Sequence, residues 1–291
     1  MTWLTTPPRT FLTGGSGFVG RAVLARADRP VRALVHRTPL GNHVDTVHGD
    51  LLDASLPWAT WLDGMEHLVH VARPSAGSAR QRTRVAKRTA GANEAMLSAA
   101  EQHGTTAVAV HGSLSYGDRG EDVVTPDALV NPIGYARSYA IGEAPWRART
   151  DSTCTVVRAP WMLARGSWFS MLYEGDTVPC FGDGSMWMSI ADVPGFATWL
   201  WSLLDQGPTG VVHPPLLVRC RQRTFAERVA EIRGVPVEPW SASRTRRAYG
   251  RQTAASIFAS LRLDDGQGSA SESPEGHGRL GAALQSILGL S

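Results

Sequence analysis

Apolar positions in the first half of the chain fall into short runs separated by longer amphipathic stretches. Thr10–Thr13, Val31–Val35, Val44–His48, His67–Val71, Ala107–Val110 and Thr155–Val157 are short and largely apolar, which predicts strands. Phe18–Ala27, Arg80–His103 and Tyr135–Arg149 carry the longer patterning of helices. Strands that alternate with helices predict βαβ units, and therefore an α/β fold with a doubly wound parallel sheet. No internal repeat is visible.

The pattern weakens after Pro160. Arg165–Met188 is rich in Trp, Met, Gly and Asp. Beyond it, Val193–Leu204, Phe225–Arg233 and Leu280–Leu288 predict helices and Gly210–His213 a short strand. Gly266–Gly278 is rich in Gly, Ser and Glu and predicts a mobile linker. The expected organisation is a nucleotide-binding domain over 1–160, to which 189–215 returns. A small substrate-binding lobe would be built from 161–188 and 216–291.

The most informative motif is Thr13-Gly14-Gly15-Ser16-Gly17-Phe18-Val19-Gly20, between the first strand and the first helix. Gly14 suits a tight turn, Gly17 a close backbone approach to a pyrophosphate, and Gly20 close packing of helix on strand. Phe18 and Val19 open the helix, whose free N–H groups and dipole favour phosphate. This predicts a Rossmann-type fold with a dinucleotide site. NAD sites usually carry a carboxylate at the end of the second strand. Here the strand ends Val35-His36-Arg37, and an arginine fork suits a 2′-phosphate. The expected cofactor is NADP(H), with Arg21 as a possible helper.

Further landmarks follow in order. They are His48-Gly49-Asp50-Leu51, His70-Val71-Ala72-Arg73, His111-Gly112-Ser113-Leu114-Ser115-Tyr116-Gly117, Tyr135-Ala136-Arg137-Ser138-Tyr139 and Arg158-Ala159-Pro160. Phe181-Gly182-Asp183-Gly184 and Ala191-Asp192-Val193 come after them. Over Thr10–Gly234 this series resembles the extended and atypical short-chain dehydrogenase/reductases, in particular their epimerase-like members. The resemblance implies that Asp50 and Leu51 lie at the adenine, and Ala72 and Arg73 under the nicotinamide-side phosphates and ribose. It implies that Pro160 lies beside the nicotinamide, that Ser113 orients a carbonyl and that Tyr135 exchanges a proton. Arg73 stands where the HxAA pattern has a small residue.

The resemblance also implies a lysine four residues after the tyrosine, lowering its pKa and holding the nicotinamide ribose. That position is Tyr139, and the chain's one lysine, Lys87, lies far upstream. Tyrosine ordinarily titrates near ~10, and general acid–base help is worth ~10²–10⁴-fold. Three explanations stay open. In the first, the substrate supplies its own proton, as a ketone beside an acidic phenol can. In the second, Ser113, Ser115, Tyr116 or His111 replaces the acid. In the third, the chain is a lyase, an epimerase or an NADP(H)-sensing regulator.

Trp161, Met162, Trp168, Phe169, Met171, Tyr173, Trp187 and Met188 crowd one segment, which suits a large, flat, apolar ligand. Ser115, Tyr139, Trp161, Trp168 and Met188 are the expected substrate contacts. The pattern resembles ketoreductases that tailor aromatic polyketides in antibiotic biosynthesis. The expected activity is NADPH-dependent reduction of a carbonyl on such a substrate.

Composition narrows this picture. Hydrophobic residues make up 43% and charged residues 19%, enough for a core. No apolar run has the ~18 residues of a membrane span, and Met1–Arg9 lacks the apolar middle of a leader. The three cysteines, Cys154, Cys180 and Cys220, show no CxxC spacing. They predict neither disulfides nor a metal site, and a cytoplasmic setting. Net charge is +3, and Arg80, Arg82, Arg84, Lys87 and Arg88 read as the solvated start of a helix rather than a nucleic-acid footprint. The sequence carries no signal of oligomeric state.

Overall fold

The structure, a computed structural model, describes residues 7, 9–41, 44–74, 76–266 and 272–290. Most of Met1–Arg9 and residues 267–271 of the expected linker lie outside the described residues. The first elements are β1 (Thr10–Thr13), α1 (Phe18–Ala25), β2 (Val31–Val35), β3 (Asp45–His48), α2 (Trp58–Leu62), β4 (His67–His70), α3 (Ala79–Gln102) and β5 (Thr106–Gly112). Next come β6 (Val123–Val124), α4 (Ala136–Arg147), β7 (Cys154–Ala159), β8 (Trp161–Leu163), α5 (Trp168–Tyr173), β9 (Val178–Phe181) and β10 (Trp187–Asp192). The chain ends with α6 (Val193–Gln206), β11 (Gly210–Val212), β12 (Val218–Arg221), α7 (Gln222–Arg233), β13 (Val237–Trp240), α8 (Ala242–Ile257), β14 (Arg262–Leu263) and α9 (Pro274–Leu288).

Two compact units divide the chain. The first comprises Met1–His111, Ser138–Arg158 and Ala197–Val212. It holds a seven-stranded sheet of order β11-β7-β5-β4-β1-β2-β3. The recorded strand pairs are all parallel, and Thr13 lies opposite both Leu34 and His70. β1 and β7 are buried at every position, which is why neither shows the alternation of a half-buried strand. Phe11, Trp58, Leu62, Leu68, Met96 and Trp146 fill the core beside the sheet. Ser78 caps α3 by accepting from the Gln81 N–H, and the Gln81 side chain answers the Ser78 N–H, so this helix has a defined start.

The second unit comprises Gly112–Arg137, Ala159–Phe196 and His213–Ser291. Its sheets are small: β12-β10-β8, β13-β9 and β14-β6. Its core is aromatic, with Phe169, Tyr173, Phe181 and Phe225 almost fully buried. The helix α7 stops at Gly234, which takes the left-handed conformation at φ +64°.

The unit boundaries differ from the sequence expectation. Gly112–Arg137 packs with the second unit, and the return to the first covers Ala197–Val212 rather than 189–215. Part of the expected linker is helical. Ser273 accepts from the Gly276 N–H and Pro274 sits at the first position of α9, so 274–278 form its opening turns. Helix α8 carried no expectation at all. It is polar, and a break at Gly250 (φ +78°) interrupts its periodicity.

Gly20 is packed too tightly for a side chain: a Cβ there would lie 2.1 Å from the Gly14 carbonyl oxygen. Gly20→Ala is therefore expected to destabilise the protein by about 1–3 kcal/mol in urea unfolding, as overpacked sites do. An unchanged midpoint would contradict this packing.

Candidate functional site

The glycine turn is built by close approach. Gly14 has φ +83°, and a Cβ on it would meet the Ala72 backbone nitrogen at 2.5 Å. The turn thus lies directly on the segment after β4. The Gly17 N–H donates to the Gly14 carbonyl at 3.0 Å. Gly17 is the N-cap of α1, where no side chain caps the helix and no acidic residue occupies the first turn. A Cβ on Gly17 would meet nothing nearer than the Gly14 oxygen at 3.4 Å, so its outer side is open. Phe18 is exposed and Val19 half-buried at the start of the helix. This uncapped, side-chain-free turn is the surface a pyrophosphate fits.

The second-strand and third-strand ends lie in the same unit. His36 and Arg37 are exposed beyond β2. The Gly49 N–H donates to the Val35 carbonyl at 3.0 Å, which joins the ends of β3 and β2. Asp50 accepts from the Leu52 N–H at 3.0 Å, so its carboxylate shapes the turn, and Leu51 is buried. Arg21 Nε donates to the Ser16 carbonyl at 2.9 Å and braces the glycine turn.

Between β4, β5, α3 and α4 the first unit holds a partly open pocket. Ala72, Arg73, Asn93, His111, Ser138 and Tyr139 are among its lining residues. The Arg73 guanidinium carbon lies over the Tyr139 ring, 4.7 Å from its centroid. Asn93 is fully buried and its amide donates to the Gly142 carbonyl at 2.8 Å. Asn93 Oδ1 and His111 Nε2 have no hydrogen-bond partner among the described residues.

Charges beneath the pocket are paired. Arg158 Nη1 lies 2.6 Å from Glu143 Oε2, with both side chains 1% exposed. Burial alone would push the Glu143 carboxyl up, but His111 when protonated and the Arg158 and Arg147 guanidiniums outweigh it and hold the carboxyl below its ordinary value. Burial and, to a lesser extent, His111 push His70 down to about 3. Burial pushes His111 down to about 4, with Arg158, Arg73 and Arg147 adding to the effect and Glu143 opposing it. Both imidazoles are neutral near pH 7. His70 Nδ1 is hydrogen-bonded to Thr13 Oγ1 at 2.8 Å, and Trp146 stacks on the His70 ring at 5.2 Å.

The two expected catalytic residues belong to the second unit. Ser113 and Ser115 occupy a 3-10 turn at Ser113–Tyr116 and are 5% and 3% exposed. The Tyr116 hydroxyl is 2.8 Å from His213 Nε2. Tyr135 precedes α4, and its hydroxyl is hydrogen-bonded to Thr253 Oγ1 of α8. Pro160 also falls in this unit.

Within the aromatic segment, Met188 is 3% exposed and belongs to the aromatic core. Trp161 and Trp168 are half-buried against that core and meet edge to face at 4.7 Å. Trp168 Nε1 donates to the Met162 carbonyl at 2.8 Å. These side chains serve packing first, because the short strands of this unit's small sheets leave a core that large rings fill.

Asn93, Glu143 and Thr253 were not singled out from the sequence. Two carried a readable signal. Ala86, Thr89 and Asn93 share the i, i+3, i+7 spacing of one helix face. Glu143 follows Tyr139 by one turn. Thr253 had no such signal, because α8 itself was not expected. Among the described residues no group of His, Cys, Asp and Glu could hold a metal ion, and no helix is long and apolar enough to cross a membrane.

A doubly wound parallel sheet with a glycine turn after its first strand defines the Rossmann class of α/β folds. The model of the NAD dependent epimerase/dehydratase family matches residues 10–213, and the chain belongs to that family. No curated protein matches it in sequence. Solved structures share its fold at low identity. The human epimerase family protein SDR39U1 with NADPH is 20% identical, covers 96% of this chain and 98% of its own, and has a TM-score of 0.77. The dTDP-glucose 4,6-dehydratase DesIV from Streptomyces venezuelae with NAD is 20% identical, covers 95% and 96%, and has a TM-score of 0.69. The UDP-N-acetylglucosamine 4-epimerase from Methanobrevibacter ruminantium is 14% identical, covers 99% and 100%, and has a TM-score of 0.73.

The buried histidines make stability depend on pH. Their folded values of about 3 and about 4 lie below the ordinary 6.5, so the unfolded chain binds more protons between those limits. Their contribution is complete above about pH 6.5 and is lost as pH falls toward about 4. Urea unfolding at a series of pH values is expected to show His111→Gln losing less stability than wild type over that interval. Parallel curves would contradict the assignment.

Proposed function

We propose that this chain is an NADP(H)-dependent oxidoreductase that reduces a carbonyl on an apolar small molecule. The observation that carries the reading is the pairing of an uncapped glycine turn with an exposed Arg37 at the end of the neighbouring strand, where no carboxylate stands. When bound, the cofactor supplies a hydride at the nicotinamide C4. The chain's own residues bind and orient. The N–H groups opening α1 receive the pyrophosphate, and Arg37 receives the 2′-phosphate as a two-pronged donor. Ser113 orients the carbonyl.

Tyr135 is an auxiliary donor whose hydroxyl is held by Thr253. With Tyr139 in the lysine position, the substrate itself delivers the proton, as a ketone beside an acidic phenol does. The narrower form of the reading, a bulky aromatic ketone of polyketide type, is supported by Trp161 and Trp168. They are partly exposed where they pack against a buried ring cluster. A second reading is favoured by the family and by the dehydratase and epimerase among its structural neighbours: a sugar-nucleotide substrate with no net consumption of cofactor.

Titration with NADPH and NADH at fixed salt tests the cofactor. NADPH is expected to bind roughly tenfold tighter or more, and Arg37→Ser to remove most of that preference. Equal binding of the two by wild type would contradict the role given to Arg37. Tyr135→Phe tests the proton source. Turnover is expected to fall by less than the ~10²–10⁴-fold of a full general acid, with NADPH binding intact. Abolished turnover with intact binding would contradict substrate-delivered protonation.

A further inference from the structure

We propose that His213 is a positioning residue: held with a proton on each ring nitrogen, it fastens Tyr116 and so fixes the turn that carries Ser113. The use made of that turn rests on the role given to Ser113 above; the proton on His213 does not. Four groups of the second unit form one chain of contacts. The Tyr116 hydroxyl donates to the Pro126 carbonyl at 3.0 Å and also lies 2.8 Å from His213 Nε2. On the other side of the ring, His213 Nδ1 lies 2.6 Å from the Asp264 carbonyl oxygen. The chain thus ends on two carbonyls, which only accept. Its three contacts need three hydrogens, and the phenol supplies one. The ring must donate from both nitrogens, as only the imidazolium can.

Either neutral form breaks the chain. With hydrogen on Nε2 alone, the Nδ1 lone pair would face the Asp264 oxygen at 2.6 Å, a repulsive contact. With hydrogen on Nδ1 alone, Tyr116 has one hydrogen for two acceptors and must give up Pro126 or His213. His213 is 8% exposed, and Tyr116, 1% exposed, packs with Val124, Leu216, Leu261 and Leu263, so a lost link is costly here. Charged groups stand on the flanking elements. Asp264 and Asp265 follow β14 and favour a cation, as does Asp127 beside Pro126. Asp265 accepts from the Leu216 N–H at 3.0 Å, and Asp127 from the Thr125 hydroxyl at 2.5 Å. Arg119 and Arg219 oppose a cation. Arg119 is engaged with the Tyr116 and Leu129 carbonyls, and Arg219 with the Leu263 carbonyl and Glu272.

Tyr116 closes the 3-10 turn Ser113–Tyr116. The turn has a second tie, from the Asn131 N–H to the Ser115 carbonyl at 2.9 Å. Gly117, which follows, lies so near that a Cβ on it would meet the Asn131 oxygen at 2.3 Å. Of these ties, the one to His213 is the one that titrates. The Tyr116 hydroxyl is buried and committed at both ends, so Tyr116 acts through the turn and not as a replacement acid.

The test is a nitrogen-15 NMR titration of the histidine rings in the full chain, from about pH 5 to about pH 9, with neither cofactor nor substrate. His213→Gln identifies the His213 signals. His213 is expected to keep both ring protons to about one pH unit or more above the free-histidine value of ~6.5, and then to lose the one on Nε2. The amide signals of Ser115, Tyr116 and Gly117 are expected to move with the same midpoint, which a merely structural histidine would not produce. Tyr116→Phe removes the acceptor at Nε2 and is expected to lower that midpoint. In His213→Gln, whose amide does not titrate, the turn signals are expected to stay in place. The raised folded midpoint makes the stability contribution complete below about pH 6.5 and lost as pH rises through that midpoint, opposite in sign to His70 and His111.

A ring that titrates at or below ~6.5, or that carries hydrogen on Nδ1 alone throughout, would overturn the proposal. Turn signals that ignore a raised midpoint would overturn the positioning role. If His213→Gln does not fold, the wild-type and Tyr116→Phe titrations decide. Absent NADPH binding would overturn the reductase reading and the use of the turn with it, while the ring titration still decides the proton.

Discussion

The ion pair between Arg158 and Glu143 fixes what the first unit can present. Both side chains are 1% exposed at 2.6 Å, where an unmatched charge would be strongly destabilising. Arg158 belongs to β7 and Glu143 to α4, so satisfying the pair sets the position of that helix against the sheet. Asn93 ties α3 to the same helix through the Gly142 carbonyl. Tyr139, one turn before Glu143, is thereby held where the segment after β4 delivers Arg73. The α4 side of the pocket and the Arg73–Tyr139 contact at its edge both depend on where that helix lies.

The glycine turn imposes the complementary constraint. Gly14 and Gly20 are required because backbone atoms occupy the space a side chain would need. That closeness brings the start of α1 onto the segment after β4. An uncapped helix start, an exposed arginine at the end of β2 and a second arginine after β4 then belong to one unit built around one sheet. The arrangement is suited to a ligand with several separated anionic groups, and a phosphorylated dinucleotide is such a ligand.

Much of this was legible in the sequence, and the reasons differ by region. The parallel sheet was legible because its buried central strands carry short apolar runs, as Phe11-Leu12 in β1 and Val156-Val157 in β7. The glycine turn was legible because its spacing follows from sterics alone. The meeting of Arg73 with Tyr139 was not, because it depends on how α4 lies against the sheet. The sequence showed a missing lysine but not the arginine that stands over its replacement. The second unit was poorly legible. Its small sheets use short strands, and α8 is polar and broken at Gly250. Its crowd of Trp, Met and Phe read as a ligand surface, whereas rings such as Phe169 and Tyr173 fill a core.

An experimental structure of the protein with NADP⁺ would show whether the first unit holds a 2′-phosphorylated dinucleotide along its glycine turn. The pyrophosphate is expected at the start of α1 and the 2′-phosphate within hydrogen-bond distance of Arg37. A 2′-phosphate turned away from Arg37, or a cofactor bound elsewhere, would contradict this expectation.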